Sequence, residues 1–182
     1  WTLSSAATNY TGITTINNGT LEISGLLGRL TNSTAGNYTQ NILNNGVLHF
    51  NSSLNQSLSG DISGTGILEK SNSGQLNLYG DNTYEGNTVV NSGVFVVNGT
   101  LQGSSGNYPG AIINDGTFRM NSATDQTYTG AISGSGAFEQ RNTNTVSWQG
   151  NVTSTGDLTI YNGALELAGD AEIPSGELNI QL

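Results

Sequence analysis

The sequence predicts an all-β fold, a right-handed parallel β-helix (a solenoid) of about eight coils. Three observations favour it. A short unit of turn and strand recurs along the chain, a longer unit of about 70 residues repeats, and no segment keeps apolar residues at helical spacing for more than one turn. We expect residues 1–182 to form a single β-helix segment of a larger protein.

The short unit joins a turn to two alternating apolar residues. Gly is followed two and four positions later by apolar side chains, which period-2 alternation sends to one face of a strand. The Asn, Asp or Ser before Gly is typical of turns, because Asn and Gly tolerate positive φ. The seven copies are NNGTLEI (17 to 23), NNGVLHF (44 to 50), NSGQLNL (72 to 78), NSGVFVV (91 to 97), NDGTFRM (114 to 120), YNGALEL (161 to 167) and PSGELNI (174 to 180).

The longer unit appears as an internal duplication of 9–70 over 82–140, with a partial third cycle at 151–182. YTGITTINNGTLEISG (10 to 25) aligns with YEGNTVVNSGVFVVNG at an offset of 74, and SGDISGTGILEK (59 to 70) with TGAISGSGAFEQ at 70. Each cycle holds three strand signatures, so one coil would take roughly 20 to 25 residues. Asn-Gly turns alone also suit antiparallel hairpins, but the long repeat favours stacked coils.

The alternation also predicts the core. Eight apolar pairs should point inward and stack in ladders, namely Leu21/Ile23, Leu48/Phe50, Leu76/Leu78, Phe95/Val97, Phe118/Met120, Leu158/Ile160, Leu165/Leu167 and Leu178/Ile180. The residues between them should face solvent, namely Glu22, His49, Asn77, Val96, Arg119, Thr159, Glu166 and Asn179. Seven of these eight are polar, and Val96 is the exception.

Composition limits the function. The chain has 24 Asn, 22 Thr, 20 Ser and 26 Gly but no Cys, and 13 acidic residues against 4 basic ones give a net charge of -9. Four scattered cations cannot neutralise a row of phosphates or an anionic membrane surface, so we expect no nucleic-acid binding. No apolar run approaches the length of a membrane span, so we expect no direct membrane insertion of this segment.

Residues 63–99 combine Gly64 and Gly66, Leu68 with Lys70, Gly74 before its strand, and Asn82 to Tyr84 with Gly86. In this order and spacing they resemble the passenger-associated β-strand repeat of bacterial autotransporters. Two mild departures occur in the second cycle, where Gln140 replaces Lys70 and Asn144 replaces the expected Gly. The resemblance implies a β-helix passenger that a C-terminal barrel carries through the outer membrane, for display on the bacterial cell surface or release.

Few residues suit catalysis. His49 is the single histidine, and the alternation makes it a solvated strand residue. The sequence has no G-x-S-x-G elbow, no calcium-binding G-G-x-G-x-D repeat and no complete phosphate loop. We therefore expect no catalytic residue, no cofactor and no metal, and thus no enzyme.

Tyrosines are the candidate contact residues. Tyr10, Tyr84, Tyr108 and Tyr128 each precede a Gly by two positions, and Tyr38 shares the context apart from Gln40. On the outside they would form an aromatic strip suited to sugars or another protein. The alternative, which we favour, is that each ring packs on the ring of the next coil at a corner.

The resulting hypothesis is a non-catalytic stalk or adhesive segment of a passenger. It would contact a surface protein or glycan of a host or neighbouring cell, mediating adhesion or aggregation at or outside the bacterial surface. The alternatives are a fibre that self-associates end to end and a glycan-binding or glycan-active β-helix.

Overall fold

The computed structural model describes residues 1–4, 9–32, 35–103, 106–168 and 176–181. The partial third cycle therefore includes residues, 169–175 and 182, that lie outside the described part. Within that part the chain is all-β, with 24 strands and no helix: β1 Thr2–Leu3, β2 Thr14–Ile16, β3 Thr20–Ile23, β4 Arg29–Asn32, β5 Ala35–Tyr38, β6 Ile42–Asn44, β7 Val47–Asn51, β8 Asn55–Leu58, β9 Ile62–Ser63, β10 Ile67–Ser71, β11 Gln75–Leu78, β12 Asp81–Asn82, β13 Thr88–Val90, β14 Val94–Val97, β15 Thr100–Leu101, β16 Ile112–Asn114, β17 Thr117–Met120, β18 Gln126–Tyr128, β19 Ile132–Ser133, β20 Ala137–Gln140, β21 Thr145–Trp148, β22 Leu158–Ile160, β23 Ala164–Leu167 and β24 Leu178–Ile180.

The strands stack in three columns. Column 1 holds β2, β6, β9, β12, β15, β18, β21 and β23; column 2 holds β1, β3, β7, β10, β13, β16 and β19; column 3 holds β5, β8, β11, β14, β17, β20, β22 and β24. Column 1 is made of three small sheets, and hydrogen bonds bridge its gaps: the Thr83 amide donates to the Ile62 carbonyl (2.8 Å), and the Leu101 amide to Gln126 Oε1 (2.7 Å).

One coil visits columns 1, 2 and 3 in turn and returns to column 1 one level further along. Leu68 lies opposite Leu48 in column 2, and Leu76 lies opposite Gln56 in column 3, so a coil takes 20 residues at both places. Pairing within the columns is parallel throughout. The prediction of an all-β solenoid of stacked parallel strands with about eight turns is confirmed.

Insertions lengthen two coils. Between columns 2 and 3 of an early coil, β4 folds back on β5 as the only antiparallel pair in the described part of the chain. The second insertion precedes β16 and separates the column partners Thr88 and Ile112 by 24 residues. Surface insertions of this length cost little stability, because the entropy of closing a loop grows only slowly with loop length.

The core is a stack of inward ladders, as the alternation predicts. Leu48, Leu76, Phe118 and the other central pair members are almost fully buried. Toward either end the burial weakens, and Leu21, Ile160, Leu165 and Leu167 are partly buried against the core.

Three residues contradict the predicted register. Val96 is only 3% exposed although it was expected to face solvent. It lies in an outward row between its column partners Asn77 and Arg119, whose longer side chains flank it. Leu178 and Ile180, expected inside, are 40% and 60% exposed, because β24 pairs with β22 on one side only and no described strand covers the other.

The two sequence cycles do not occupy the same columns. Asn44 in column 1 and its equivalent Asn114 in column 2 are both fully buried and make the same contacts. Each Nδ2 donates to a carbonyl of the next coil at 2.9 Å, and each Oδ1 accepts the amide two residues ahead at 3.2 Å. A coil uses three strands, and equivalent elements of the two cycles lie ten strands apart, which is three coils and one further strand. Each element of the second cycle therefore lies one column beyond its equivalent in the first.

Gly64 and Gly134 show the same equivalence in the turns. Both have φ of 108°, and a Cβ at either position would meet the carbonyl oxygen of Asn44 or Asn114 at 2.1 Å. Only glycine fits so close to the coil beneath. The structural unit of this chain is therefore one turn and one strand.

Candidate binding surface

The structure places four of the five candidate tyrosines in the interior. Tyr38, Tyr84, Tyr108 and Tyr128 are at most 1% exposed, and Tyr10 alone is open, at 41%. The external aromatic strip is therefore wrong, because these four rings are buried: Tyr38 ends β5 in column 3, Tyr128 ends β18 in column 1, and Tyr108 packs between Tyr84 and Tyr128. Ring centroids are 5.5 Å apart between Tyr84 and Tyr108 and 6.2 Å between Tyr108 and Tyr128.

Hydrogen bonds satisfy most of these buried phenols. Thr88 Oγ1 lies 2.6 Å from the Tyr84 hydroxyl and 2.7 Å from that of Tyr108, which also contacts the Gly86 carbonyl at 2.6 Å. Burial raises the pKa of both phenols well above the usual value, so they stay neutral. The Tyr128 hydroxyl is buried without a hydrogen-bond partner among the described residues.

Tyr10 belongs to a groove of about 560 Å³ beside the β4–β5 hairpin. Its ring stacks on Tyr38 at 6.0 Å with 9° between the planes, and its hydroxyl donates to the Ile13 carbonyl at 2.5 Å. The other lining residues are Thr11, Arg29, Leu30, Thr31, Asn37 and Thr39. The groove thus offers one accessible aromatic ring, one exposed guanidinium, and hydroxyls and an amide that can donate or accept hydrogen bonds.

Arg29 is exposed and lines the groove, whereas the other two arginines form ion pairs. Arg119 and Arg141 both bind Glu139, each with Nε at 2.7 Å from Oε2, and Arg141 also lies over the Tyr161 ring at 4.3 Å. The two guanidinium groups hold the pKa of the Glu139 carboxyl below its usual range against an opposing effect of burial.

Lys70 is only 2% exposed, and its ammonium group hydrogen-bonds to backbone carbonyls of a turn. Its ammonium donates to the carbonyls of Ser71 (2.6 Å), Asn72 (2.7 Å) and Ser92 (3.5 Å). Asn72 is the only non-glycine residue with positive φ in the described part of the chain. Burial lowers the pKa of Lys70 to about 8.

The two departures from the repeat pattern compensate each other. Gln140 Nε2, where the first cycle has Lys70, donates to the carbonyls of Asn142 and Asn144 (3.1 Å each) and to Asn144 Oδ1 (2.7 Å). Asn144 occupies the place of Gly74 and also donates to the Thr124 carbonyl at 3.0 Å. The shorter, neutral side chain thus caps the turn with the help of the added amide.

Turn residues on the outer surface form a ladder of side-chain to backbone hydrogen bonds between successive coils. Carboxylate or amide oxygens of Asn41, Asp61, Asn45 and Asp115 each accept a backbone amide from the coil 20 residues on, at 2.8 to 3.2 Å. These bonds lower the pKa of the Asp115 carboxyl. The richness in Asn therefore has a structural cause that composition alone does not reveal.

His49 is less solvated than predicted, because its side chain is only 16% exposed. Its Nδ1 lies 3.6 Å from Glu22 Oε2, and its Nε2 lies 3.0 Å from Ser71 Oγ. Sequence reasoning missed Ser71, since 22 residues separate it from His49 and only the 20-residue coil brings the two together. The 20-residue period places Glu69 opposite His49, and Ser71 is the diagonal neighbour two residues further along β10.

Two tests of the described residues were negative. No group of three His, Asp or Glu side chains in the ranges given above is arranged to hold a metal ion. Over the same ranges, no helix is long and apolar enough to cross a membrane.

The chain is a parallel β-solenoid in which equivalent turn-and-strand units occupy different columns, and its exterior is polar. The Passenger-associated-transport-repeat family matches the chain at residues 1–23 and 68–97. These matches agree with the resemblance to passenger-associated β-strand repeats at residues 63–99. No curated protein and no solved structure gives a significant match.

Proposed function

We propose that this chain is an adhesive segment of an autotransporter passenger, displayed at or released from the bacterial surface, where it mediates adhesion or aggregation. The repeat family and the solenoid fit such a passenger. The proposed action is non-catalytic, since it needs contact with a partner and no change in the partner's bonds.

The observation that carries the adhesive role is the groove beside the β4–β5 hairpin. Tyr38, Tyr84, Tyr108 and Tyr128 are buried, whereas Tyr10 leaves its ring open in the same groove as an exposed cation, Arg29. Aromatic residues and arginine contribute disproportionately to protein contacts, because they give large contact areas with directional polar groups. The partner is a surface protein or glycan that presents an acidic group to Arg29 and a flat apolar face to Tyr10.

Adhesion of beads coated with the isolated chain to target cells tests this proposal. The double variant Tyr10→Ala with Arg29→Ala should reduce bound beads by roughly tenfold, equivalent to a total loss of about 1.4 kcal/mol of binding free energy. Tyr79→Ala is the matched control, since Tyr79 is 53% exposed and lies outside the groove. Absence of adhesion by the unaltered chain, or equal loss in the control, contradicts the proposal.

A glycan is favoured among the partners because stacking on a tyrosine and pairing with an arginine are the contacts that an acidic sugar makes. A glycan array with the same three proteins separates the possibilities. Binding to uronic or sialic acid spots that the double variant loses identifies an acidic glycan, and adhesion without array binding identifies a protein partner.

A further inference from the structure

A group of polar side chains on the outward face of column 2 takes no part in the groove. Glu22 on β3 and His49 on β7 are column partners on successive coils, and Glu69 on β10 is the next residue in that row. Ser71 lies two residues beyond Glu69 on the same outward face. Asn91 follows β13 at the level of Ser71 on the next coil.

The hydrogen bonds of this group form a chain from Asn91 through Ser71 to His49. Asn91 Nδ2 donates to Ser71 Oγ at 3.1 Å, and Ser71 Oγ lies 3.0 Å from His49 Nε2. When the proton of neutral His49 is on Nδ1, Ser71 donates to Nε2, and the N–H of Nδ1 faces Glu22 Oε2 at 3.6 Å. A hydroxyl on one imidazole nitrogen and a carboxylate on the other is the arrangement that activates a serine nucleophile.

The positions of Ser71 and Asn91 are held from both sides. Lys70 Nζ donates to the Ser71 carbonyl from inside the coil at 2.6 Å, which fixes the end of β10. Glu69 Oε1 accepts the Asn91 amide at 2.6 Å and orients it. The second Asn91 N–H contacts Ser71 Oγ itself, and when that oxygen attacks, this N–H lies beside it and can turn to the negative charge that forms on the substrate oxygen.

The second cycle provides an internal comparison. The positions equivalent to His49, Glu69 and Ser71 hold Arg119, Glu139 and Arg141, which form two ion pairs. Those residues also stabilise the outer row, but they contain no hydroxyl and no imidazole. A stabilising outer row therefore does not require the histidine and serine of the first cycle.

We propose that Ser71, His49 and Glu22 form a hydrolytic relay that cleaves small neutral carboxylic esters. Ser71 Oγ attacks the ester carbonyl carbon while His49 Nε2 takes the hydroxyl proton, and the oxyanion faces the Asn91 amide. The bond to the leaving oxygen breaks, and His49 returns the proton to the released alcohol. Water, activated by the same base, then cleaves the acyl-Ser71 bond and gives the carboxylic acid.

The site itself defines the substrate class. It lies on a strand face, flanked by the carboxylates Glu22 and Glu69, in a chain of net charge -9. Anionic esters are repelled from such a face, whereas an uncharged acetyl ester, of the kind carried by O-acetylated sugars, approaches without a charge penalty. This inference goes beyond the adhesive role and replaces, for this face, the expectation that the chain has no catalytic residue.

The 182-residue chain is tested with p-nitrophenyl acetate and with a fluorophosphonate probe, followed by peptide mass spectrometry. The probe should label Ser71, and Ser71→Ala should abolish both labelling and ester hydrolysis above background. His49→Gln should slow both by about 100-fold, the scale of general-base catalysis. Ser133→Ala is the control, since Ser133 lies half-buried in column 2 opposite Ile113 and should leave the rates unchanged.

Glu22 is a positioning residue, and its test differs accordingly. Glu22→Gln should lower kcat with little change in KM and move the pH profile of hydrolysis, because the carboxylate stabilises the imidazolium. Circular dichroism melts establish that each variant is folded. Absence of label on Ser71 in the folded chain, or hydrolysis by the Ser71→Ala and His49→Gln variants at the rate of the unaltered chain, would overturn the proposal. The bead assay reports on adhesion separately.

Discussion

Apart from the turn that holds Lys70 in the first cycle and Gln140 in the second, the two sequence cycles are alike at core and turn positions and differ in the outer row. Asn44 and Asn114 make the same buried contacts, although they lie in columns 1 and 2. At the outer row the first cycle pairs His49 with Ser71, and the second pairs Arg119 with Glu139.

This difference shows which constraints the fold imposes. A buried amide without its bonds costs free energy wherever it sits, so the inner and turn positions must keep their partners even after a shift of one column. An outward side chain can hydrogen-bond to water, so it requires only that its neighbour does not clash with it or repel it. The outer rows are therefore the part of each coil that is available for function.

The largest effect should come from a charge placed in the ladder. Leu76→Asp and Val146→Asp occupy equivalent inward positions in columns 3 and 1, and both side chains are fully buried. Each should lower the free energy of unfolding by about 4 kcal/mol or more, because a carboxylate would enter a dry interior.

Their outward neighbours supply the matched controls. Asn77→Asp and Ser147→Asp should change stability by less than about 0.5 kcal/mol in the same thermal melts. Equal melting temperatures for an inward and an outward variant would contradict the register of that column.

Lys70 predicts a pH dependence that the second cycle lacks. Its folded pKa of about 8 lies below the usual 10.5, so between these values the unfolded chain binds more protons. The free energy of unfolding should therefore rise with pH across this window, by an amount on the order of 3 kcal/mol. The difference in stability between the unaltered chain and Lys70→Gln isolates this effect, and a difference that stays constant from pH 7 to 10.5 would exclude it.

Gln140 and Asn144 should be energetically coupled. Gln140→Ala leaves two turn carbonyls without their donor and should cost about 2 kcal/mol. In a double-mutant cycle with Asn144→Ala, the two losses should overlap by roughly 1 kcal/mol, since the side chains bond each other at 2.7 Å. Strict additivity in urea unfolding would contradict the compensation of Lys70 by the Gln140–Asn144 pair.

The smallest expected effect distinguishes two buried tyrosines. Tyr108→Phe removes contacts to Thr88 and Gly86 and should cost about 1 to 2 kcal/mol. Tyr128→Phe removes a hydroxyl that has no partner in the described part of the chain, so its melting temperature should stay the same or rise. A larger loss at Tyr128 than at Tyr108 would contradict this network.

The sequence was most informative where the cause is local. Gly followed by apolar residues two and four positions later predicted the inward pairs, because period-2 alternation belongs to the strand itself. Burial of Val96 and exposure of Leu178 depend on neighbouring coils, which one strand does not reveal.

The sequence pattern could not predict which strands share a column, because that depends on the exact coil length. A 70-residue repeat is compatible with three whole coils or with ten strands, and only the pairing register separates the two. The same register decides that Tyr84 packs inside and that Ser71 meets His49.

Thiol cross-linking tests the one-column shift most directly, since the chain has no native cysteine. Val89 and Ile113 are column partners, so their cysteine variants should be bridged by a short bifunctional reagent at the ~4.8 Å spacing of adjacent strands. If the repeat were three whole coils, Arg119 would instead follow His49, Glu69 and Val89 in column 2. Efficient bridging of the Val89→Cys, Ile113→Cys chain with none in Val89→Cys, Arg119→Cys is the predicted result, and the reverse would contradict the shift.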